Sequence, residues 1–201
     1  MKKNKNYKKI EIIFSGFGGQ GILFAGNLFA LAGVLAGYHA TFLPVYGPEM
    51  RGGTCNCTTI ISQHEIASPV VKEPDVLVLL NLPSYFKFMP RLKKNGIAIL
   101  NLDLISEEVL REDASRYSAA RFIRIPMNSL SESVGYPQLA NMIAVGALWA
   151  VLKPFDKKYL ERALKEMLKE GKEHLFTPNV EALNSGIQYL ANLSTPLRLS
   201  R

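Results

Sequence analysis

The strongest constraint in this 201-residue sequence lies near its start, where an apolar run meets a glycine cluster and then a long uncharged stretch. Residues 10–15 (IEIIFS) form a short apolar run that stops at glycine, the pattern of a buried strand. GFGGQG follows at 16–21, and then ILFAGNLFALAGVLAGY at 22–38, which carries no charge. Strand, glycine turn and helix in that order open an α/β layered fold. The small residues Gly26, Ala30, Gly33 and Gly37 let the helix press closely on its neighbours. The uncharged stretch is short for a membrane span, and a strand follows it too directly for a signal peptide. It reads as a fully buried helix; no membrane contact and a cytoplasmic location are expected.

The same alternation runs on. A second strand is expected near 40–45, ending at Pro44, and a third at 54–62 (TCNCTTIIS), which is β-branched and alternating. DVLVLLN at 75–81 is almost continuously apolar, as in a parallel strand covered on both faces. Strands at 96–101 and 121–126 follow. Helices are expected at 84–94, ended by Asn95 and Gly96 as a left-handed cap, and at 139–152, 157–170 (closed by Gly171) and 178–193. The expectation is an α/β fold: a single-domain layered sheet, mostly parallel, with flanking helices and a helical C-terminal part. A basic disordered tail at 1–9, one domain at 10–193 and a C-terminal tail at 194–201 complete the plan. Helices 22–37 and 139–152 are uncharged nearly all the way round. Either both are unusually central or another chain covers one, and an oligomer is expected on that ground.

The net charge of +7 raises the question of nucleic acid, but five lysines fall in the first nine residues and leave only +2 for the rest. A solvated lysine-rich tail explains that, and no arginine–aromatic cluster or zinc-finger spacing follows. Nucleic acid is rejected as the main partner. The two cysteines, Cys55 and Cys57, point to one face of a strand and read as reduced packing groups, with no ladder for an iron–sulfur cluster. His39, His64 and His174 are scattered without metal spacing and are expected to face solvent. Asn141, inside an apolar helix, calls for a hydrogen-bond partner, inside the chain or across an interface.

Two segments carry the candidate chemistry. Gly16, Gly18 and Gly21 satisfy G-x-G-x-x-G between strand and helix, the context in which backbone N–H groups at a helix N-terminus bind a phosphate. A dinucleotide site also needs an acid at the end of the second strand, and residues 36–44 (AGYHATFLP) hold none. The loop keeps its attraction for an anion, although its glycines also serve plain strand–helix packing. Gly19 belongs to the turn, and Gln20 adds two donors and an acceptor. The second segment is YGPEMRGG, residues 46–53. Arg51 offers a planar fork for carboxylate or phosphate; the other reading is an internal Glu49–Arg51 contact that holds the loop.

GFGGQGILFAGNLFALAG, LPVYGPEMRGGTCNCTTIIS, SPVVKEPDVLVLLN and ANMIAVGALWAVL together resemble the gamma subunit of 2-oxoacid:ferredoxin oxidoreductases. The resemblance runs from about residue 10 to 190, with both motifs intact. It implies a subunit of an enzyme complex that decarboxylates a 2-oxoacid, passes electrons to ferredoxin and transfers the acyl group to coenzyme A. Thiamine diphosphate, magnesium and iron–sulfur clusters would sit on partner subunits, alpha and beta with delta as a further candidate, and no cofactor on this chain. By the same likeness, Gly16, Gly18, Gly19, Gln20, Gly21 and Arg51 would form an anion-binding rim for substrate or coenzyme A. Tyr46, Gly47, Pro48, Glu49, Gly52 and Gly53 would face the partner subunits. The form GPEMRGGT leans toward the 2-oxoglutarate and branched-chain members. The alternative is a stand-alone nucleotide-binding regulatory module built on the GFGGQG turn.

Overall fold

A six-stranded mixed sheet forms the centre of the molecule, in the order β2-β3-β1-β4-β5-β6. The computed structural model describes residues 8–45, 54–169 and 171–193. Its strands are β1 (Lys9–Phe17), β2 (His39–Val45), β3 (Thr54–Ser62), β4 (Val76–Leu79), β5 (Ile97–Asn101) and β6 (Arg121–Ile125). β1, β4, β5 and β6 pair in parallel, while β3 runs antiparallel to both β1 and β2. Only β3 therefore opposes the common strand direction, as the mostly parallel expectation requires. The buried VLVL of β4 shows why a central parallel strand loses its alternation: both its faces meet helices.

Alternate residues of β1 divide between two cores. Ile10, Ile12 and Phe14 face α1 (Ile22–Leu35), α5 (Ala140–Leu152), α6 (Lys158–Met167) and α7 (Phe176–Leu193). Ile13 faces the opposite core with Leu77 and Leu79, under α2 (Leu82–Phe88) and α3 (Glu107–Glu112). A short α4 (Met127–Ser133) leads from β6 toward α5.

Of the two uncharged helices, α5 is central within the chain itself. Every residue of α5 from Ala140 to Leu148 is buried, because the helix lies between the sheet-side core and α7. Gly146 and Gly186 make that contact possible: a Cβ on either would stand 2.0 or 2.1 Å from the carbonyl oxygen of Leu183 or Ile143. α1 packs on the sheet and α6, with Val34 left half exposed. The missing charges of α5 follow from that burial, whereas α1 keeps a partly exposed apolar face with Leu23, Phe24, Leu31 and Val34, so the expectation of a covering chain rests on α1 alone. By contrast, α6 keeps a wet face and buries Leu160, Ala163 and Leu164 at helical spacing.

Several boundaries moved for local reasons. α2 starts at Leu82 because Asn81 caps it, its side chain accepting from Ser84 N at 2.9 Å, with Pro83 in the first turn. It ends at Phe88 and tightens into a 3-10 turn over Met89–Arg91, since Pro90 has no N–H to continue the ladder. The expected helix to 94 is therefore too long. Gly96 is not left-handed either. Glycine is needed there because a Cβ would lie 2.6 Å from the Leu92 side chain. α6 stops at Met167, so left-handed Gly171 (φ 90) belongs to the following loop rather than to its cap. α3 and α4 went unpredicted. The Ser106 cap with Glu107 and Glu108 in the first turn was the available signal for α3.

Candidate functional site at the carboxyl edge of the sheet

The GFGGQG turn sits at the carboxyl end of β1, where the chain turns to either face of the sheet. α1 leaves on one face and α2, after β4, on the other, so β1 and β4 flank a topological switch point. Gly19 (φ 91) and Gly21 (φ 70) are left-handed, a conformation that disfavours side chains. Gly16 and Gly18 are not left-handed. A Cβ on Gly16 would lie 2.6 Å from Gln20 Oε1 and 2.8 Å from the end of the Ile22 side chain, so both side chains would have to shift to admit it. Five of the six residues expected to form the rim, all but Arg51, lie in this one turn.

Gln20 folds back over that turn. Phe17 N donates to Gln20 Oε1 at 2.6 Å, and Gln20 N donates to Phe17 O at 3.2 Å. Asn81 Nδ2, at the end of β4, also reaches Gln20 Oε1 at 3.4 Å and so bridges the switch point. Behind the turn, Asn141 Nδ2 donates to Gly21 O at 3.2 Å. A Cβ on Gly21 would meet that nitrogen at 2.4 Å. This is the internal partner that Asn141 called for. Its Oδ1 is buried without a partner among the described residues, an acceptor held beside the turn. α1 itself has no side-chain cap and no acid in its first turn. Its first N–H groups therefore keep the partial positive charge of a helix start.

The strands joined by residues 46–53 end at this same edge. Val45 pairs with Asn56, which pairs with Ser15, and Thr54 pairs with Phe17. Lys87 Nζ donates to Thr54 Oγ1 at 3.1 Å. Ser15 Oγ lies 2.8 Å from Ser84 Oγ and 3.2 Å from Cys55 O, tying β1, β3 and α2. Phe17, Val45, Phe86 and Leu104 are large apolar side chains left exposed around these strand ends. Tyr46, Gly47, Pro48, Glu49, Arg51, Gly52 and Gly53 lie outside the described residues.

Sequence reasoning missed Asn81, Ser84 and Lys87. An Asn followed by Pro two residues on, directly after a strand, is the cap signal that points to the first two. The cysteines are packing groups as expected. Burial pushes both thiols upward, and Cys57 Sγ is 3.5 Å from Ile22 O under Gly26. His39, His64 and His174 are exposed. Among the described residues no group of three His, Cys, Asp or Glu could hold a metal ion, and no helix is long and apolar enough to cross a membrane.

An α/β domain with a glycine turn at its switch point defines the class, and comparison with known proteins narrows it. The model of the pyruvate ferredoxin/flavodoxin oxidoreductase family matches residues 11–189, and the chain belongs to that family. Within it, the chain is of the gamma-subunit type that the motifs implied. The 2-oxoglutarate synthase subunit KorC of Methanothermobacter thermautotrophicus is 34% identical over 178 residues, 88% of this chain and 92% of that one. The ketoisovalerate oxidoreductase subunit VorA of the same organism is 32% identical over 184 residues. That match takes in 91% of this chain, which spans 37% of the length of VorA. Among solved structures, the gamma subunit of a keto/oxoacid ferredoxin oxidoreductase from Geobacter sulfurreducens superposes with a TM-score of 0.72 at 27% identity. The superposition covers 91% of this chain and 99% of that one.

Proposed function

We propose that this chain is the gamma subunit of a 2-oxoacid:ferredoxin oxidoreductase, working in a complex with alpha and beta subunits and, where present, delta. The reaction is oxidative decarboxylation of a 2-oxoacid to its acyl-coenzyme A, with carbon dioxide released and the electrons passed to ferredoxin. The partner subunits bring thiamine diphosphate, magnesium and iron–sulfur clusters, which supply the decarboxylation and the electron path. This chain supplies a rim: the Gly16–Gly21 turn, with Gln20, and the 46–53 loop with Arg51. Both leave strands at one edge of the sheet, the edge where open α/β sheets present ligands. Likeness to KorC and VorA favours 2-oxoglutarate or a branched 2-oxoacid over pyruvate.

One observation carries the reading. The start of α1 lies at the switch point with no side-chain cap and no acid in its first turn, while Gln20 and Asn141 hold the backbone of the turn that precedes it. Such a site favours an anion by about 0.3–1 kcal/mol, more when closed off from water. The anion is a phosphate of coenzyme A or the carboxylate of the 2-oxoacid. The stand-alone nucleotide module finds no support among the relatives, and β2 offers no acid for a ribose.

The test is the assembled complex with Arg51→Ala or Gln20→Ala, assayed for 2-oxoacid-dependent ferredoxin reduction. A raised KM for coenzyme A alone assigns the rim to coenzyme A; a raised KM for the 2-oxoacid alone assigns it to substrate. Unchanged kinetics in an intact complex would reduce this chain to a scaffold. Tight binding of NAD, FAD or ATP by the isolated chain would revive the nucleotide module.

A further inference from the structure

A groove of about 660 Å³ runs along β6, far from the glycine turn in strand order, between that strand and the last turns of α5 and α7. Its walls include Ile123, Val151, Tyr189 and Leu193, the last of them 63% exposed. Two arginines, Arg121 and Arg124, flank it, and among the described residues no acid lines it. Arg121 has no acidic partner among those residues, and Arg124 reaches only Glu107, at 3.8 Å.

β6 is the last strand of the sheet, and among the described residues nothing pairs with its outer edge. Arg121 N donates to Gly96 O and Ile125 O accepts from Leu102 N, so its odd-numbered residues bond to β5. The N–H and C=O groups of Phe122 and Arg124 therefore point away from the sheet. An edge with free backbone groups beside an apolar groove is a template for an added strand.

We infer that this edge receives an extended acidic segment of a partner subunit, which adds a strand to β6 and pairs its carboxylates with Arg121 and Arg124. Charge selects that occupant. Residues 194–201 (STPLRLSR) carry two arginines and no acid, so the chain's own continuation is repelled. A second copy pairing through β6 would bring the arginines of both chains onto one short edge. The inference rests on the proposed assembly with partner subunits, but not on the chemistry of the glycine rim.

Hydrogen exchange in the isolated chain and in the complex co-expressed with its alpha and beta subunits tests it. The amides of Phe122 and Arg124 should exchange freely in the isolated chain and slow by about a hundredfold on assembly. Arg121→Glu with Arg124→Glu should weaken assembly about tenfold and flatten its salt dependence, while the paired lysine variants keep most of it. The melting temperature of the isolated variant checks its folding. Protection of residues 16–21 without protection of 122 and 124 would overturn the edge proposal and leave the rim standing. Protection of neither on assembly would sink both. Slow exchange in the isolated chain that depends on its concentration, or vanishes when 194–201 are removed, would put a second copy or the chain's own end on the edge and overturn the proposal.

Discussion

Asn141 donates its side-chain amide to the main-chain oxygen of Gly21 at 3.2 Å, joining the start of α5 to the start of α1 across 120 positions of sequence. The glycine turn is thereby fixed from behind by a helix far from it in sequence. Gly21→Ala forces a side chain into the left-handed region and against Asn141, and should cost about 1–3 kcal/mol. Adding Asn141→Ala relieves the clash but not the backbone strain. Denaturant unfolding of the two single variants and the double should give a coupling above about 0.5 kcal/mol. Strict additivity would show that the two residues do not press on one another.

Gln20 separates shape from charge. Gln20→Glu keeps an acceptor for Phe17 N, so the turn and the melting temperature should change little. The added negative charge opposes an anion at the rim. In the complex, KM for the anionic ligand should rise on the order of tenfold with kcat much less affected. A fall in kcat at constant KM would place Gln20 in the chemistry instead.

The α5–α7 contact depends on two glycines that meet backbone. Gly146→Ala or Gly186→Ala should lower stability by about 1–3 kcal/mol or more, measured by thermal or denaturant melts. Gly135 is a useful comparison, since a Cβ there meets nothing within 4 Å and only its left-handed φ of 85 is at stake. Equal losses at Gly146 and Gly135 would refute close helix packing as the cause.

At the opposite end of the sheet, Lys93 bridges Glu11 and Asp75 at 2.9 and 2.7 Å. Burial works to raise the Glu11 carboxyl, but its bonds to Lys9 and Lys93 outweigh that and hold it below its usual 4.5. Burial likewise works to lower Lys93, and its bonds to Asp75 and Glu11 prevail and hold it above 10.5. Glu11 therefore contributes stability above its unfolded value that is lost as pH falls through its depressed folded value. Lys93 contributes stability below 10.5 that is lost as pH rises through its elevated folded value. Lys93→Met should flatten both limbs of a stability–pH curve; an unchanged acid limb would assign it to other carboxylates.

Cys57 is fully buried, and its thiol is pushed well above the usual range by burial, then by Cys55. Native protein should resist thiol reagents until it unfolds, with labelling tracking the unfolding equilibrium. Rapid labelling of the folded chain would expose an opening of β3.

Much of the fold could be read from the residues. The strand at 75–81 declared itself by an unbroken apolar run, and the turn by glycines where Gly19 and Gly21 prove left-handed. What could not be read was who covers whom. The uncharged face of α5 read equally as central or as a surface for another chain, because a periodicity cannot distinguish a neighbour 40 residues on from a neighbour in another molecule. Pro90 and the Asn81 cap set the limits of α2, both local signals that the apolar pattern had masked.

Sequence alone therefore determined the order of the strands and of the longer helices, the glycine turn and the family, because each rests on short-range chemistry: backbone freedom at glycine, apolar spacing, and motif residues at fixed offsets. Only the tertiary structure decided that Asn141 and Asn81 support the turn, that α7 buries α5, and that β6 has an open edge among the described residues. Those are contacts between residues far apart in the chain, and packing fixes them only once the sheet order exists.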